Sequence, residues 1–310
     1  MTKFEEIIPS TVGENTTPCQ VNEGNSQVVA DYITQWLTDY INKAPISVKG
    51  YVLGVSGGID SAVVSTLCAK TGFPLTVVEM PIHQDADQVT RGKEHIQFLK
   101  DNYDNVTSME IDLTDTYDMF RDQLLEKSLE QGGVEMGQYD GFEFTMANTR
   151  SRLRMTTLYS IAGINGLLVC GTGNRVEDFG IGFYTKYGDG GVDISPIADL
   201  MKTEVYTVGK TIGINSNILN AKPTDGLHGD SRTDEDQIGA TYLELEWAME
   251  YVDDYTVYDE IGYETFDDKE VWLLNEREKE VLSIYLAFHN NNKHKMEPIP
   301  VCELPSNLFN

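Results

Sequence analysis

The stretch Val55-Ser56-Gly57-Gly58-Ile59-Asp60-Ser61 carries the densest chemical information in this chain. Glycines let a backbone turn tightly and approach a ligand with no Cβ in the way. Hydroxyls and N–H groups at a helix start form a nest for an anion, and the helix dipole adds to it. Asp60 makes sense in such a loop when a hard cation such as Mg2+ bridges it to polyphosphate, because carboxylate and phosphate otherwise repel. The plainer alternative is a tight strand-to-helix turn with an acid in the first helical turn. Neither Gly-x-x-x-x-Gly-Lys-Ser/Thr nor GxGxxG occurs, so two common nucleotide loops are excluded.

A second group of candidates lies downstream. Asn148-Thr-Arg-Ser-Arg152-Leu-Arg154-Met155 reads as helix, with Asn148, Arg152 and Met155 on one face and Arg154 pointing elsewhere. An Arg fork suits a carboxylate or phosphate; the same residues also read as partners of surface acids. Gly171-Thr172-Gly-Asn174 and Glu177 follow, then Phe183-Tyr-Thr-Lys186-Tyr-Gly-Asp189-Gly-Gly-Val-Asp193 and Lys202. Gly188 to Gly191 reads as a hairpin turn. Two lysines, an Asp and a glycine run in one region are also what binding two nucleotides requires.

Hydrophobic spacing supplies the scaffold for these residues. Gln27 to Asn42 is a helix with Val29, Ile33, Trp36, Leu37 and Ile41 on one stripe. Strands are expected at 51–55, 75–80, 106–111 and 166–170, and helices at 61–70, 88–99, 115–129 and 146–162, with a Gly-rich break at 131–141. Strands alternating with helices predict an α/β fold, a parallel sheet covered on both faces. Ligands of such sheets sit beyond the carboxyl ends of the strands, where the Val55–Ser61 and Gly171–Asn174 loops fall. Residues 234–290 read as helical and acidic, without strand patterns.

Composition removes other classes. The 310 residues carry a formal charge of −27, which argues against nucleic acid because a phosphate backbone needs a basic footprint. An anionic substrate would then need the scarce Lys and Arg gathered where it binds. No apolar run is long enough for a membrane span, and the first residues lack a signal-peptide pattern, so a cytoplasmic protein is expected. Cys19, Cys68, Cys170 and Cys302 are scattered and form no metal or disulfide framework. His83, His95, His228 and His289 belong to no catalytic pattern, and no Ser-His-Asp or Cys-His nucleophile is readable.

The Ser-Gly-Gly-x-Asp-Ser run resembles the PP-loop of N-type ATP pyrophosphatases, which grip pyrophosphate while AMP passes to an acceptor. The block from Gly171 to Lys202, with Pro223-Thr224, Thr233-Asp-Glu235, Gly239, Tyr242 and His294-Lys295, is more specific and resembles NAD synthetases over roughly residues 27–300. That resemblance implies a Rossmann-like adenine nucleotide alpha hydrolase fold with added helices, between an irregular arm (1–26) and a tail (301–310). It implies adenylation of the nicotinate carboxylate of deamido-NAD by ATP, then displacement of AMP by ammonia.

Position by position, the resemblance assigns ATP phosphates to Ser56, Gly57, Gly58, Asp60 and Ser61, and Mg2+ to Asp60 and Glu177. Thr172, Lys202 and Thr224 fall at ATP positions; Arg152, Lys186, Asp193, His294 and Lys295 fall at deamido-NAD positions. Asp60, Lys186 and Lys202 are the expected catalytic residues. A homodimer is implied, with no nucleic acid and no membrane as partners. Free ammonia is favoured because no activated thiol is readable; a separate glutaminase is left open but not indicated. The spacing from Glu177 to Lys186 is one residue longer than usual, Asp225 has no matching role, and Met296 stands where the family often has Arg. Another PP-loop ligase or a non-catalytic nucleotide-binding relative are the alternatives; an RNA-thiolating enzyme is disfavoured by the charge and the missing cysteine pair.

Overall fold

The computed structural model describes residues 21–304, apart from 45–46, 131–140, 225, 228–232, 259–263 and 267. Residues 1–20 of the arm, nearly all of the Gly-rich break, Asp225, His228 and the last part of the tail lie outside that set.

Helix α1 (Ser26–Lys43) leads into β1 (Gly50–Gly54), α2 (Ile59–Lys70), β2 (Leu75–Glu79), α3 (Ala86–Asn102), β3 (Val106–Glu110), α4 (Thr114–Glu130), α5 (Phe142–Asn165) and β4 (Leu167–Val169). All four strands are parallel in the order β3-β2-β1-β4, with Tyr51 beside Leu75, Leu75 beside Val106, and Gly50 beside Leu167. The expected α/β parallel sheet is present. The chain adds strands outward from β1 to β3 and returns to the other side of β1 with β4. The order therefore reverses between β1 and β4, and a crevice opens beyond their carboxyl ends.

Alternation along β1 builds the two faces. Tyr51 and Leu53 pack with α1, α2 and later α6 residues in one core. Val52 points the opposite way, onto Met155, Leu158 and Ile161 of α5 in a second core. Complete burial of side chains such as Leu37, Leu53 and Leu67 stabilises by roughly 1.5–3 kcal/mol each. On α1 the stripe Ala30, Ile33, Leu37 and Ile41 is buried, whereas Trp36, expected on that stripe, is 38% exposed. Helix α5 stops at Gly166, whose left-handed φ of 71° lets its N–H reach the Ala162 carbonyl and turn the chain into β4.

A third core closes one end. Beyond a π-helical turn at Val176–Ile181, the chain forms α6 (Lys202–Thr211), α7 (Ser216–Leu219), α8 (Asp234–Ile238), α9 (Tyr242–Tyr255) and α10 (Glu276–Met296). Val176 and Ile181 are buried against Leu245, Met249, Val281 and Tyr285. The 234–290 region is not wholly helical: β5 (Thr256–Tyr258) and β6 (Glu264–Phe266) form an antiparallel pair. Thr256–Tyr258 and Glu264–Phe266 lack the continuous apolar run that marks the equally short β4, so the sequence does not register them.

Candidate active site

The turn after β1 is built by packing against α3. Gly57 sits at φ 81°, and a Cβ there would strike the Gln88 carbonyl oxygen. Only glycine satisfies both conditions. Ser56 and Ser61 brace the turn from within: their hydroxyls lie 3.2 Å apart, the Ser56 N–H donates to Ser61 Oγ (3.2 Å), and Ser61 Oγ donates to the Gly58 carbonyl (3.1 Å). Helix α2 then opens at Ile59, so its N-terminal dipole faces the crevice. Asp60 is therefore a first-turn helical residue.

Three charged side chains meet there. Lys202, the first residue of α6, is only 3% exposed. Its Nζ donates to Asp60 Oδ2 at 2.6 Å and to Glu177 Oε1 at 2.9 Å, and lies 4.7 Å from the centre of the Tyr242 ring. Tyr242 donates its phenolic proton toward Glu177 Oε1 (2.6 Å) and lies 3.0 Å from Asp234 Oδ2. Asn174, fully buried after β4, donates to Asp60 Oδ1 (3.2 Å) and accepts from the Glu177 N–H (3.2 Å). Two carboxylates from opposite sides of the crevice are thus held on one cation.

The electrostatics follow from that arrangement. Burial opposes the charge on Lys202, but Asp60 and Glu177 outweigh it and hold the amine well above its usual range. Burial opposes the charge on Glu177 too; Lys202 and the Tyr242 hydrogen bond prevail and lower it. Asp60 is raised, chiefly by burial and despite Lys202, with the Glu177 charge adding to the rise. Beside them Asp178 is pushed up to about 8 by burial and by Glu177, Asp189 and Asp60. Asp189 is raised by burial although Ser151 (2.7 Å) and the Thr185 N–H (2.9 Å) donate to it. Helix α6 is itself anchored: Glu246 of α9 accepts from the Thr203 N–H (2.8 Å) and hydroxyl (2.7 Å), and burial raises its carboxyl to about 7.

All nucleotide-side residues expected from the sequence line one cleft: Ser56, Gly57, Gly58, Asp60, Ser61, Thr172, Glu177, Lys202 and Thr224. The acceptor-side residues Arg152, Lys186, Asp193, His294 and Lys295 do not line it; they tie neighbouring elements together. Arg152 Nε donates to the Lys186 carbonyl (3.2 Å) and Lys186 Nζ to the His294 carbonyl (3.0 Å). Lys295 donates to the Gly182 and Tyr184 carbonyls and packs over the Tyr184 ring. His294 is exposed, its Nδ1 3.1 Å from the Asn291 carbonyl. Asp193 accepts from the Val169 N–H (2.8 Å) and the Tyr159 hydroxyl (3.0 Å), at the end of β4.

Arg154 does point elsewhere than Arg152, and its direction is into the cleft. Arg154 lines the cleft, donating from Nε to the Met80 carbonyl (3.0 Å) and from Nη2 to Gln84 Oε1 (2.7 Å). The shared face of Asn148, Arg152 and Met155 also divides, since Met155 is buried and Arg152 exposed. Gly188 to Gly191 is a compact turn closed on Thr185 and Gly188 carbonyls, with no strands flanking it. Arg91, Lys222, Asp178 and Asp189 join the lining, and Asn174 and Tyr242 brace it. Arg91, Arg154, Lys202 and Lys222 thereby gather in one cleft of a chain with 23 Lys and Arg against 50 Asp and Glu. Asn174 and Tyr242 were legible only as parts of larger motifs, and nothing in the spacing marked Arg91 or Lys222.

A single divalent ion fits this donor set. Asp60 and Glu177 are hard oxygen donors already converging on a cation. Among the described residues no group of three or more His, Cys, Asp or Glu side chains is arranged to hold a metal alone. Two carboxylates completed by substrate phosphates is the usual arrangement for Mg2+.

The NAD synthase family model matches residues 29–295. The chain is 37% identical over 233 residues to the NH(3)-dependent NAD(+) synthetase of Alkaliphilus oremlandii, covering 73% of this chain and 86% of that protein. It is 35% identical over 282 residues to the protein of the same name from Alkaliphilus metalliredigens, covering 86% and 96%. The solved structure of NMN synthetase from Francisella tularensis superposes with a TM-score of 0.70 at 28% identity, over 91% of this chain and 98% of that one. With the family model spanning most of the chain and two relatives at 37% and 35% identity over most of their length, the chain belongs to the NAD synthase family.

Proposed function

We propose that the protein amidates the nicotinate carboxylate of deamido-NAD with ammonia, consuming ATP. A carboxylate does not yield to ammonia in water because its leaving group would be oxide. In the first step the carboxylate oxygen bonds the α-phosphorus and pyrophosphate departs; in the second, ammonia bonds the acyl carbon, AMP departs and a proton is lost. The observation that carries this reading is the convergence of Asp60, Glu177 and Lys202 beneath an anion-binding turn.

In this reading the turn of Ser56, Gly57 and Gly58 and the α2 N-terminus hold the departing polyphosphate. Lys202 offsets negative charge on the phosphates, with Thr172 and Thr224 as polar walls. Asp60 and Glu177 would hold Mg2+, which supplies charge neutralisation between two anions when bound. Arg152, Lys186, Asp193, His294 and Lys295, at positions the family resemblance assigns to deamido-NAD, would meet the rest of the dinucleotide. Water must be kept from the bound acyl adenylate, which it would otherwise hydrolyse. Asp178 and Asp189 line one wall of the cleft, where burial opposes the charge of both carboxyls.

We place the protein in the cytoplasm as a homodimer. Among the described residues no helix is long and apolar enough to cross a membrane. Met119 and Phe120 on α4 and Phe144, Tyr159 and Ile164 on α5 are exposed apolar groups that a second copy would cover. Light scattering at micromolar concentration should give twice the 34.7 kDa chain mass; a monomer overturns this assignment.

A mononucleotide acceptor is a second reading. It is favoured by the likeness to NMN synthetase and by the engagement of Arg152, Lys186 and Lys295 with backbone carbonyls. Purified protein given ATP, Mg2+ and ammonium, with deamido-NAD or nicotinic acid mononucleotide in separate arms, distinguishes them. Amide, AMP and pyrophosphate in equal amounts with the dinucleotide support the first reading. Selective turnover of the mononucleotide replaces it with the second. Pyrophosphate release in neither arm removes both, and glutamine in place of ammonium tests the nitrogen source.

A further inference from the structure

We propose that the Asp60–Glu177 pair is a one-cation site at which the Lys202 ammonium and a divalent metal exclude one another, so that metal enters only together with nucleotide phosphates. The proposal rests on the function argued above and deepens it. Lys202 Nζ lies 2.6 Å from Asp60 Oδ2 and 2.9 Å from Glu177 Oε1, positions from which a metal would draw its own oxygens. The other Asp60 oxygen accepts from Asn174, and Glu177 Oε1 also accepts from Tyr242. Three of the four carboxylate oxygens thus accept from protein donors.

Charge gives the reason for a resident cation. Asp60 and Glu177 are largely withdrawn from water, with side chains 18% and 16% exposed. Without a counter-ion they would repel at short range in a medium that screens poorly. The ammonium neutralises one of the two charges and leaves the crevice shaped for a cation. A metal and the ammonium cannot both sit between the same carboxylates, because two positive charges at such separation repel more than the second gains.

Nucleotide removes the conflict. Its phosphates offer Lys202 new acceptors as they bring the metal, and the long lysine stem can swing between the two sets of oxygens. Tyr242, 4.7 Å from Nζ, provides an aromatic face along which the ammonium moves without full rehydration. Thus the lysine keeps the two metal-holding carboxylates apart and in place until its charge is needed on the phosphates.

Mn2+ binding to the full-length chain, read by electron paramagnetic resonance, tests the exchange. Without nucleotide the wild type should bind Mn2+ weakly, and with α,β-methylene-ATP at least about tenfold more tightly. Lys202→Met, which keeps most of the stem and loses the charge, should bind Mn2+ without nucleotide at least about tenfold more tightly than wild type. The same variant should gain thermal stability on adding Mn2+, whereas the wild type should not. Adding Asp60→Asn to that variant should erase both gains.

Equal nucleotide-free affinities in wild type and Lys202→Met overturn the proposal. So does a tight nucleotide-free site in wild type that Asp60→Asn removes. Lys202→Gln replaces the methionine variant should that chain fail to fold, and the wild-type comparison with and without nucleotide stands by itself. Because the readout is metal binding, an absence of amide formation would remove the functional reading while leaving cation exchange separately visible.

Discussion

Arg152 and Arg154 stand two positions apart on α5, and their surroundings separate them. Arg154 reaches the Met80 carbonyl and Gln84 at the corner between β2 and α3, inside the cleft. Arg152 reaches the Lys186 carbonyl outside it. Arg154→Ala should raise KM for ATP about tenfold through loss of charge-assisted hydrogen bonds, and Arg152→Ala should do so for the acceptor. Steady-state kinetics with each substrate varied in turn separates the two, and the opposite pattern would reverse the assignments. For Asp60→Asn we expect pyrophosphate release to fall at least about a thousandfold. Its stability should also drop by on the order of 2 kcal/mol, because the buried Lys202 keeps only Glu177 as a charged partner. Urea unfolding beside a pyrophosphate assay reads both; normal turnover would remove Asp60 from the chemistry. Ser-Gly-Gly-x-Asp-Ser made Asp60 legible because its spacing is local. Its pairing with Lys202, 142 positions away, was not.

Among the elements, α6 is the one whose placement matters most, since Lys202 is its first residue. Helix starts leave N–H groups that need partners. Here α9 supplies one through Glu246, whose carboxylate receives both donors of Thr203. Glu246→Ala should cost about 1 kcal/mol, as for loss of a helix cap, and slow adenylation by loosening the first turn that holds Lys202. Glu246→Gln, which keeps an acceptor, should restore most of the rate. Thermal unfolding and pyrophosphate release check this, and equal rates in all three chains would show that α6 needs no such anchor. Strand and helix positions from β1 to α5 were readable because alternation and 3.6-residue spacing each persist for a whole element. The pair β5 and β6 was not, because its strands mix polar and apolar residues and lack the apolar run that marks the equally short β4; Trp36 shows that an apolar residue on the right stripe can still face solvent.

At the scale of the whole molecule, α2 and α3 meet through a buried histidine that contributes to acid sensitivity. His95 is 1% exposed, with Nε2 2.8 Å from Ser65 Oγ, and burial lowers it from 6.5 to about 4. Its folded value is depressed, so the native state keeps it neutral while the unfolded chain takes the proton. The stability is complete above about pH 6.5 and is lost as pH falls toward 4, amounting to roughly 2 kcal/mol by pH 5. Urea unfolding at pH 7.5 and pH 5 should show a smaller decline in His95→Gln than in wild type. Identical declines would show that His95 contributes nothing to acid sensitivity.

Taken alone, the order of residues determined the strand–helix alternation, the tight turn after the first strand, the residues proposed for the nucleotide side and the scarcity of cations that any anionic substrate must find gathered. Each depends on neighbours in the chain or on total composition. Tertiary structure decided which cations face the cleft, how Lys202 joins two carboxylates from opposite sides of the β1–β4 crevice, and why the acceptor-side lysines hold backbone carbonyls. Those relations set residues far apart in sequence within hydrogen-bonding reach. Only packing of the sheet against its helices, with the competition between burial and charge at each side chain, selects them.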